Sequence, residues 1–93
     1  MDAGAFFAAL ADPTRREILA MLDKGEMNVA DITRRFKLAQ SSISHHLAVL
    51  RRGGLVRARR IGKEVFYAVD RARWAEAADG FFSTFGLRLT RDA

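Results

Sequence analysis

The chain has 93 residues, a formal net charge of +5 at pH 7, 49% hydrophobic residues and no cysteine. That length supports one small domain and leaves it marginal alone, so association with a second copy is expected to help hold it together. Without cysteine there are no disulfides, thiolate metal sites or cysteine nucleophiles, and no apolar run reaches the roughly 18 residues of a membrane span.

Residues 3–10 predict a short apolar helix whose bulk is Phe6, Phe7 and Leu10. Asp12-Pro13 then marks a helix start. Asp serves as the cap, and Pro stands at the first helical position, where its missing N–H costs nothing. This helix runs to about Asp23 with Ile18, Leu19 and Leu22 inward at helical spacing, and Lys24-Gly25 ends it. Asn28 begins the next. With Asp31 three residues on it approaches a capping box, and Val29, Ile32 and Phe36 form the buried stripe. After a tight connection, Lys37-Leu38-Ala39, residues 40–52 form a fourth helix with Ile43, Leu47 and Leu50 inward. Two short helices joined this way are a helix-turn-helix, whose second member enters the DNA major groove.

Gly53-Gly54 stops that helix. Leu55 to Ile61 alternates as a strand does, Glu64 to Val69 is rich in β-formers, and Gly62-Lys63 is the hairpin turn between them. A basic hairpin directly after a helix-turn-helix is a wing. The last helix starts near Asp70 and carries Trp74, Phe81, Phe82 and Phe85. The expected fold is therefore mainly α with a small β-hairpin: four helices, two strands and a fifth helix, a single winged helix-turn-helix domain over residues 1–93. Its helix-turn-helix spans about 28–52, its wing about 55–69, and its terminal helices about 3–10 and 71–86.

Charge is laid out unevenly. Residues 34–63 hold nine Lys or Arg and no Asp or Glu. Residues 1–33 carry three basic and six acidic residues, and residues 64–93 four and five. One basic third on a mildly acidic background favours a polyanion at one face. At its centre, Gln40, Ser41, Ser44 and His45 fall opposite Ile43, Leu47 and Leu50. Gln pairs bidentately with adenine, Ser serves either partner type, and His donates to guanine or phosphate. Ser42 is assigned either to DNA or to the helix backbone. His46 sides with the apolar face and is expected to be structural. Adjacent histidines on a helix diverge by about 100° and do not converge on one ion. The position before Gln40 is Ala39, which caps poorly. In the wing, alternate residues face opposite sides, so Arg57, Arg59 and Arg60 cannot all meet the same DNA; Arg60 and the tip residue Lys63 are the expected contacts. Arg51 and Arg52 sit where they complement the helix dipole, and are assigned equally to that role and to DNA contact. Thr14, Arg15, Arg16 and Glu17 are assigned helix-start chemistry and exposed ion pairing only.

Phe6, Phe7, Leu10, Trp74, Phe81, Phe82 and Phe85 give the terminal helices more apolar surface than one small core absorbs, which a two-fold helical interface explains. No Gly-rich phosphate loop, nucleophile elbow, metal cluster or paired-carboxylate site supports an enzyme.

The stretches ALADPTRREILAML at 9–22, EMNVADI at 26–32 and LAQSSISHHLAVLRRGGLVRARRIGKEVFYAV at 38–69 resemble the ArsR/SmtB family of bacterial winged-helix repressors. The resemblance implies a cytoplasmic homodimer that binds a near-palindromic operator in double-stranded DNA and represses transcription. Many metal-sensing members carry E-L-C-V-C-D-L where this chain has Glu26-Met27-Asn28-Val29-Ala30-Asp31-Ile32. Neither Asn28 nor Ala30 supplies the thiolate a soft metal needs, and the last helix, which holds a second metal site in some members, has no His. The chain is thus most similar to the metal-independent, autorepressor-type members, with no metal and no cofactor expected. Its inducing signal is left open between a non-metal effector, an antirepressor protein and none. The competing class is a winged-helix protein–protein interaction module.

Overall fold

Helix starts are set by side chains placed for that purpose. In the structure, a computed structural model describing residues 3–86, α1 spans Ala3–Leu10 and α2 Pro13–Leu22. Asp12 is extended, and its Oδ2 accepts from the Arg15 amide at 3.0 Å, with Pro13 next in line. Strand β1 (Met27–Asn28) leads into α3 (Val29–Arg34), where Asn28 Oδ1 accepts from the Asp31 amide at 2.8 Å. The later elements are α4 (Gln40–Arg52), β2 (Val56–Ile61), β3 (Glu64–Val69) and α5 (Arg71–Thr84). Asp70 caps α5 by accepting from the Arg73 amide at 3.2 Å. Each such cap contributes about 1 kcal/mol.

The end of α1 is held differently from expectation. Arg15 Nε donates to Ala9 O at 2.7 Å and Nη2 to Ala8 O at 3.2 Å, while Arg16 Nη1 donates to Leu10 O at 2.8 Å. A helix end leaves its last carbonyls without intrahelical partners, and cations there complement the dipole. At eight residues α1 is too short to persist by propensity. Arg15 and Arg16 therefore do more than start α2: they fasten the helix before it.

The core lies between α2, α3, α4 and the entry to β2. Ile18, Ile32, Ile43, Leu47, Leu50 and Leu55 are fully buried there. Phe6 and Ala9 of α1 join them. Gly53, just past α4, is a point of close approach: a Cβ there would stand 2.9 Å from Ala5 O and 3.2 Å from Ala9 Cβ. That contact seats the end of α4 on α1.

The expected two-stranded hairpin is part of a three-stranded antiparallel sheet in the order β1-β3-β2. Strand β1 is only Met27 and Asn28, opposite Tyr67 and Phe66. Two residues carry no alternation to read, and Asn28 serves both as strand end and as the α3 cap. Strands β2 and β3 pair from Val56↔Val69 to Ile61↔Glu64, closed by Gly62-Lys63. Gly62 has φ 62°, the positive value that the first position of such a two-residue turn needs.

Helix α5 leans on this body without burying any residue fully. Trp74 Nε1 donates to Leu55 O at 3.1 Å, and its ring meets Phe6 edge-on at 5.2 Å. Arg71 donates to Asp23 Oδ1 at 2.6 Å and to Asp23 O at 3.1 Å, tying α5 to the end of α2.

Candidate nucleic-acid interface

Helix α4 has two opposed faces. Ile43, Leu47 and Leu50 point into the core. Gln40, Ser41, Ser44 and His45 are exposed, and Ser42 is half-buried. The polar residues of the first turn and a half are thus turned out by the same packing that buries the apolar ones. No side chain caps α4, and the Ala39 carbonyl accepts from Ser42 N at 3.0 Å and Ile43 N at 3.2 Å. An uncapped helix start directs amides and a partial positive charge outward, which suits a phosphate. Around it Arg35, Lys37, Arg51 and Arg52, all exposed, provide positive charge. Arg34 is paired with Asp31 one turn earlier and offers less charge.

The wing sorts its cations by strand alternation. Arg57 and Arg59 lie on the face of Ala68 and Phe66, their cross-strand partners, while Arg60 lies on the opposite face with Val65. Arg59 grips Glu26 with two donors, Nε to Oε2 at 3.0 Å and Nη2 to Oε1. That hydrogen bond is the main reason the Glu26 carboxyl sits below its ordinary pKa and the Arg59 guanidinium above its own. Glu64 Oε1 accepts from Asn28 Nδ2 at 2.9 Å. Both acids adjoining the wing are therefore engaged with donors on its own sheet. At the tip, Arg60 Nε donates to Gly62 O at 2.9 Å, and Lys63 is exposed with no ion-pair partner among the described residues.

His45 and His46 diverge as their spacing requires. His45 is exposed, whereas the His46 side chain is 17% exposed and turned toward α2. Its Nδ1 lies 3.3 Å from Arg15 Nη1 and 3.9 Å from Asp12 Oδ2. Among the described residues, no three of His, Cys, Asp and Glu come together as metal ligands.

The seven apolar residues assigned to the terminal helices separate. Phe6 is 3% exposed and belongs to the chain's own core; Leu10 and Trp74 pack against that core. Phe82 is half-buried. The rings left in solvent are Phe7, Phe81 and Phe85, with Phe7–Phe81 and Phe81–Phe85 centroids 4.9 and 5.2 Å apart. They form one ridge across α1 and α5. Sequence reasoning missed the Arg59–Glu26 pair and the Arg15–His46 contact. Each joins residues more than thirty positions apart, and the chain itself carries no signal for either.

A family model described as bacterial regulatory protein, arsR family, matches residues 12–58. The chain is 41% identical over 64 residues to a transcriptional repressor SmtB homolog of Synechocystis, a match covering 69% of this chain and 48% of that protein. It is 39% identical over 64 residues to the transcriptional repressor SdpR of Bacillus subtilis, covering 69% and 71%. Among solved structures it is similar to an ArsR-like transcriptional regulator from Rhodococcus sp. RHA1, with a TM-score of 0.79, 30% identity, and 90% and 78% of the two chains covered. The chain spans about half the length of the first of these relatives, at 48%.

Proposed function

The chain belongs to the ArsR family of bacterial regulatory proteins, and from that premise we propose that it is a homodimeric, metal-independent repressor that reads an inverted-repeat operator. The observation that carries this reading is the outward first turn of α4. Gln40, Ser41, Ser44 and His45 are exposed together beside an uncapped helix start. They stand within a basic stretch, residues 34–63, that holds no acid. The acids nearest the wing, Glu26 and Glu64, are occupied by Arg59 and Asn28. In this reading phosphate contacts from Arg60, Lys63 and the α4 start set register and affinity, and the α4 side chains, with Ser42 at the edge of the set, read bases. The ridge of Phe7, Phe81 and Phe85 joins two copies, so that two α4 helices reach successive major grooves about 34 Å apart. The helix-turn-helix over about 28–52 and the wing over about 55–69 act as one DNA-binding domain.

Selection of bound sequences from a random duplex pool, with purified protein and added chelator, tests the whole reading. The expected product is an inverted repeat with half-sites about one helical turn apart. No enriched sequence, with only salt-sensitive background binding, would replace it with a module that binds an acidic protein partner. Two substitutions divide the roles. Lys63→Ala is expected to weaken binding to every duplex and to flatten the dependence of log K on log salt by roughly 0.9 for each phosphate no longer neutralised; an unchanged slope removes Lys63 from the interface. Gln40→Ala is expected to relax base preference at one position per half-site by about 1–3 kcal/mol. Uniform weakening across sequences instead would show that Gln40 reads no base.

A further inference from the structure

One guanidinium ties together the two surfaces that the proposed function uses. Arg15 spends Nε and Nη2 on the Ala9 and Ala8 carbonyls at the end of α1, and sends Nη1 to His46 Nδ1 in the second turn of α4. Helix α1 carries Phe7 of the aromatic ridge. Helix α4 carries Ser44 and His45 immediately before His46. We propose that Arg15 and His46 form a proton-sensitive positioning pair, which holds the reading helix against α1 only while His46 Nδ1 is free to accept a hydrogen bond. The inference rests on the DNA-reading function proposed above.

The chemistry is one-directional. Arg has donors and no acceptor, so the contact requires an unprotonated Nδ1, and the neutral ring carries its proton on Nε2. The charged groups facing the ring are Arg15 and Asp12, with His45 beside it on α4, ring centroids 6.0 Å away. Helix α1, which also packs on α4, has no titratable side chain, and the Asp31 and Arg34 charges of α3 pair with each other. A proton on Nδ1 removes the acceptor and sets two cations against each other. The nearest group then able to receive it is Asp12 Oδ2, at 3.9 Å. The hydrogen bond from the Arg15 amide is the main reason that carboxyl sits below its ordinary pKa, with the Arg15 charge and the Thr14 amide adding to it. Protonation therefore exchanges a partner that is fastened to α1 for one that is already capping α2. Histidine is the side chain whose ordinary charge change falls between pH 5 and 8.

The sign of the effect separates His46 from its neighbour. A proton on His45, which faces outward, adds positive charge toward DNA and strengthens binding. A proton on His46 breaks the contact that positions the reading helix and weakens binding. The experiment measures affinity for the selected operator at pH 7.5 and 5.5, at fixed ionic strength, for the full chain and for His46→Asn and His45→Asn. It also records nitrogen-15 shifts of the His46 ring in the free protein. The full chain is expected to bind on the order of tenfold more weakly at pH 5.5, the scale of one missing charge-assisted hydrogen bond. His46→Asn offers Oδ1 near the place of Nδ1 and does not titrate. It is expected to keep the affinity at pH 7.5 and to lose the weakening at pH 5.5, while His45→Asn retains that weakening. The ring shifts are expected to report the Nε2–H tautomer when neutral. An absence of weakening at pH 5.5 in His45→Asn, an unaltered profile in His46→Asn, or an Nδ1–H neutral tautomer each overturns the pair. If no duplex is enriched at any pH, the DNA reading falls and takes the use of the pair with it. The tautomer, read without DNA, tells the two failures apart.

Discussion

Phe81→Asp is expected to leave a folded monomer in solution and to lower operator affinity by roughly a hundredfold or more, the scale of avidity that disappears when two linked half-sites are bound independently. Phe81 is the middle ring of the ridge, touching Phe7, Phe82 and Phe85. It is 41% exposed, and its helix contributes no fully buried residue. The chain's own core therefore loses little, which circular dichroism and the fluorescence of Trp74 would verify. Between two copies the cost is large. An aromatic side chain buries about 150–250 Å², the loss occurs in both subunits, and the incoming carboxylate has to be desolvated without a partner, at several kcal/mol. Sedimentation and band-shift measurements on one preparation read both consequences. A dimer of undiminished affinity would place the interface somewhere other than the α1–α5 ridge.

The same ridge shows where the sequence is silent. In Ala3–Leu10 every residue except Gly4 is apolar. No polar face therefore tells which side of the helix looks inward, and Phe6 and Phe7, about 100° apart, are indistinguishable. The structure buries Phe6 against Trp74 and leaves Phe7 in solvent. In α4 polar and apolar residues alternate at helical spacing, and there the division between Ile43, Leu47, Leu50 and Gln40, Ser41, Ser44, His45 is legible from the chain alone. The caps at Asp12 and Asn28 and the turn at Gly62 are equally legible, because each rests on a residue type with a local conformational reason. Contacts across the fold have no such local mark. Arg15 reads as a helix-start arginine until α1 and α4 are placed beside it, and Arg59 as one of three wing arginines until the sheet brings Glu26 beside it. Of the wing's cations, Arg59 is paired with Glu26, whereas Lys63 at the tip has no ion-pair partner among the described residues.

Leu47→Ala is expected to cost roughly 2–5 kcal/mol of stability, the range for a buried leucine whose cavity the surroundings cannot close. Leu47 is fully buried in the cluster formed with Ile18, Ile32, Ile43 and Leu50. Native stabilities run about 5–15 kcal/mol, and a chain this short stands toward the low end. A single truncation in α4 thus removes a large part of the total. Three positions earlier, Ser44→Ala alters only an exposed hydroxyl and is expected to stay within about 0.5 kcal/mol, while weakening operator binding. Denaturant midpoints and operator affinities for the two variants together test the division of α4 into a face that holds the fold and a face that reads DNA. A stable Leu47→Ala would mean that the core does not depend on α4 as its burial indicates. A Ser44→Ala protein with unaltered affinity for every duplex would take that hydroxyl out of the interface and leave base reading to Gln40, Ser41 and His45.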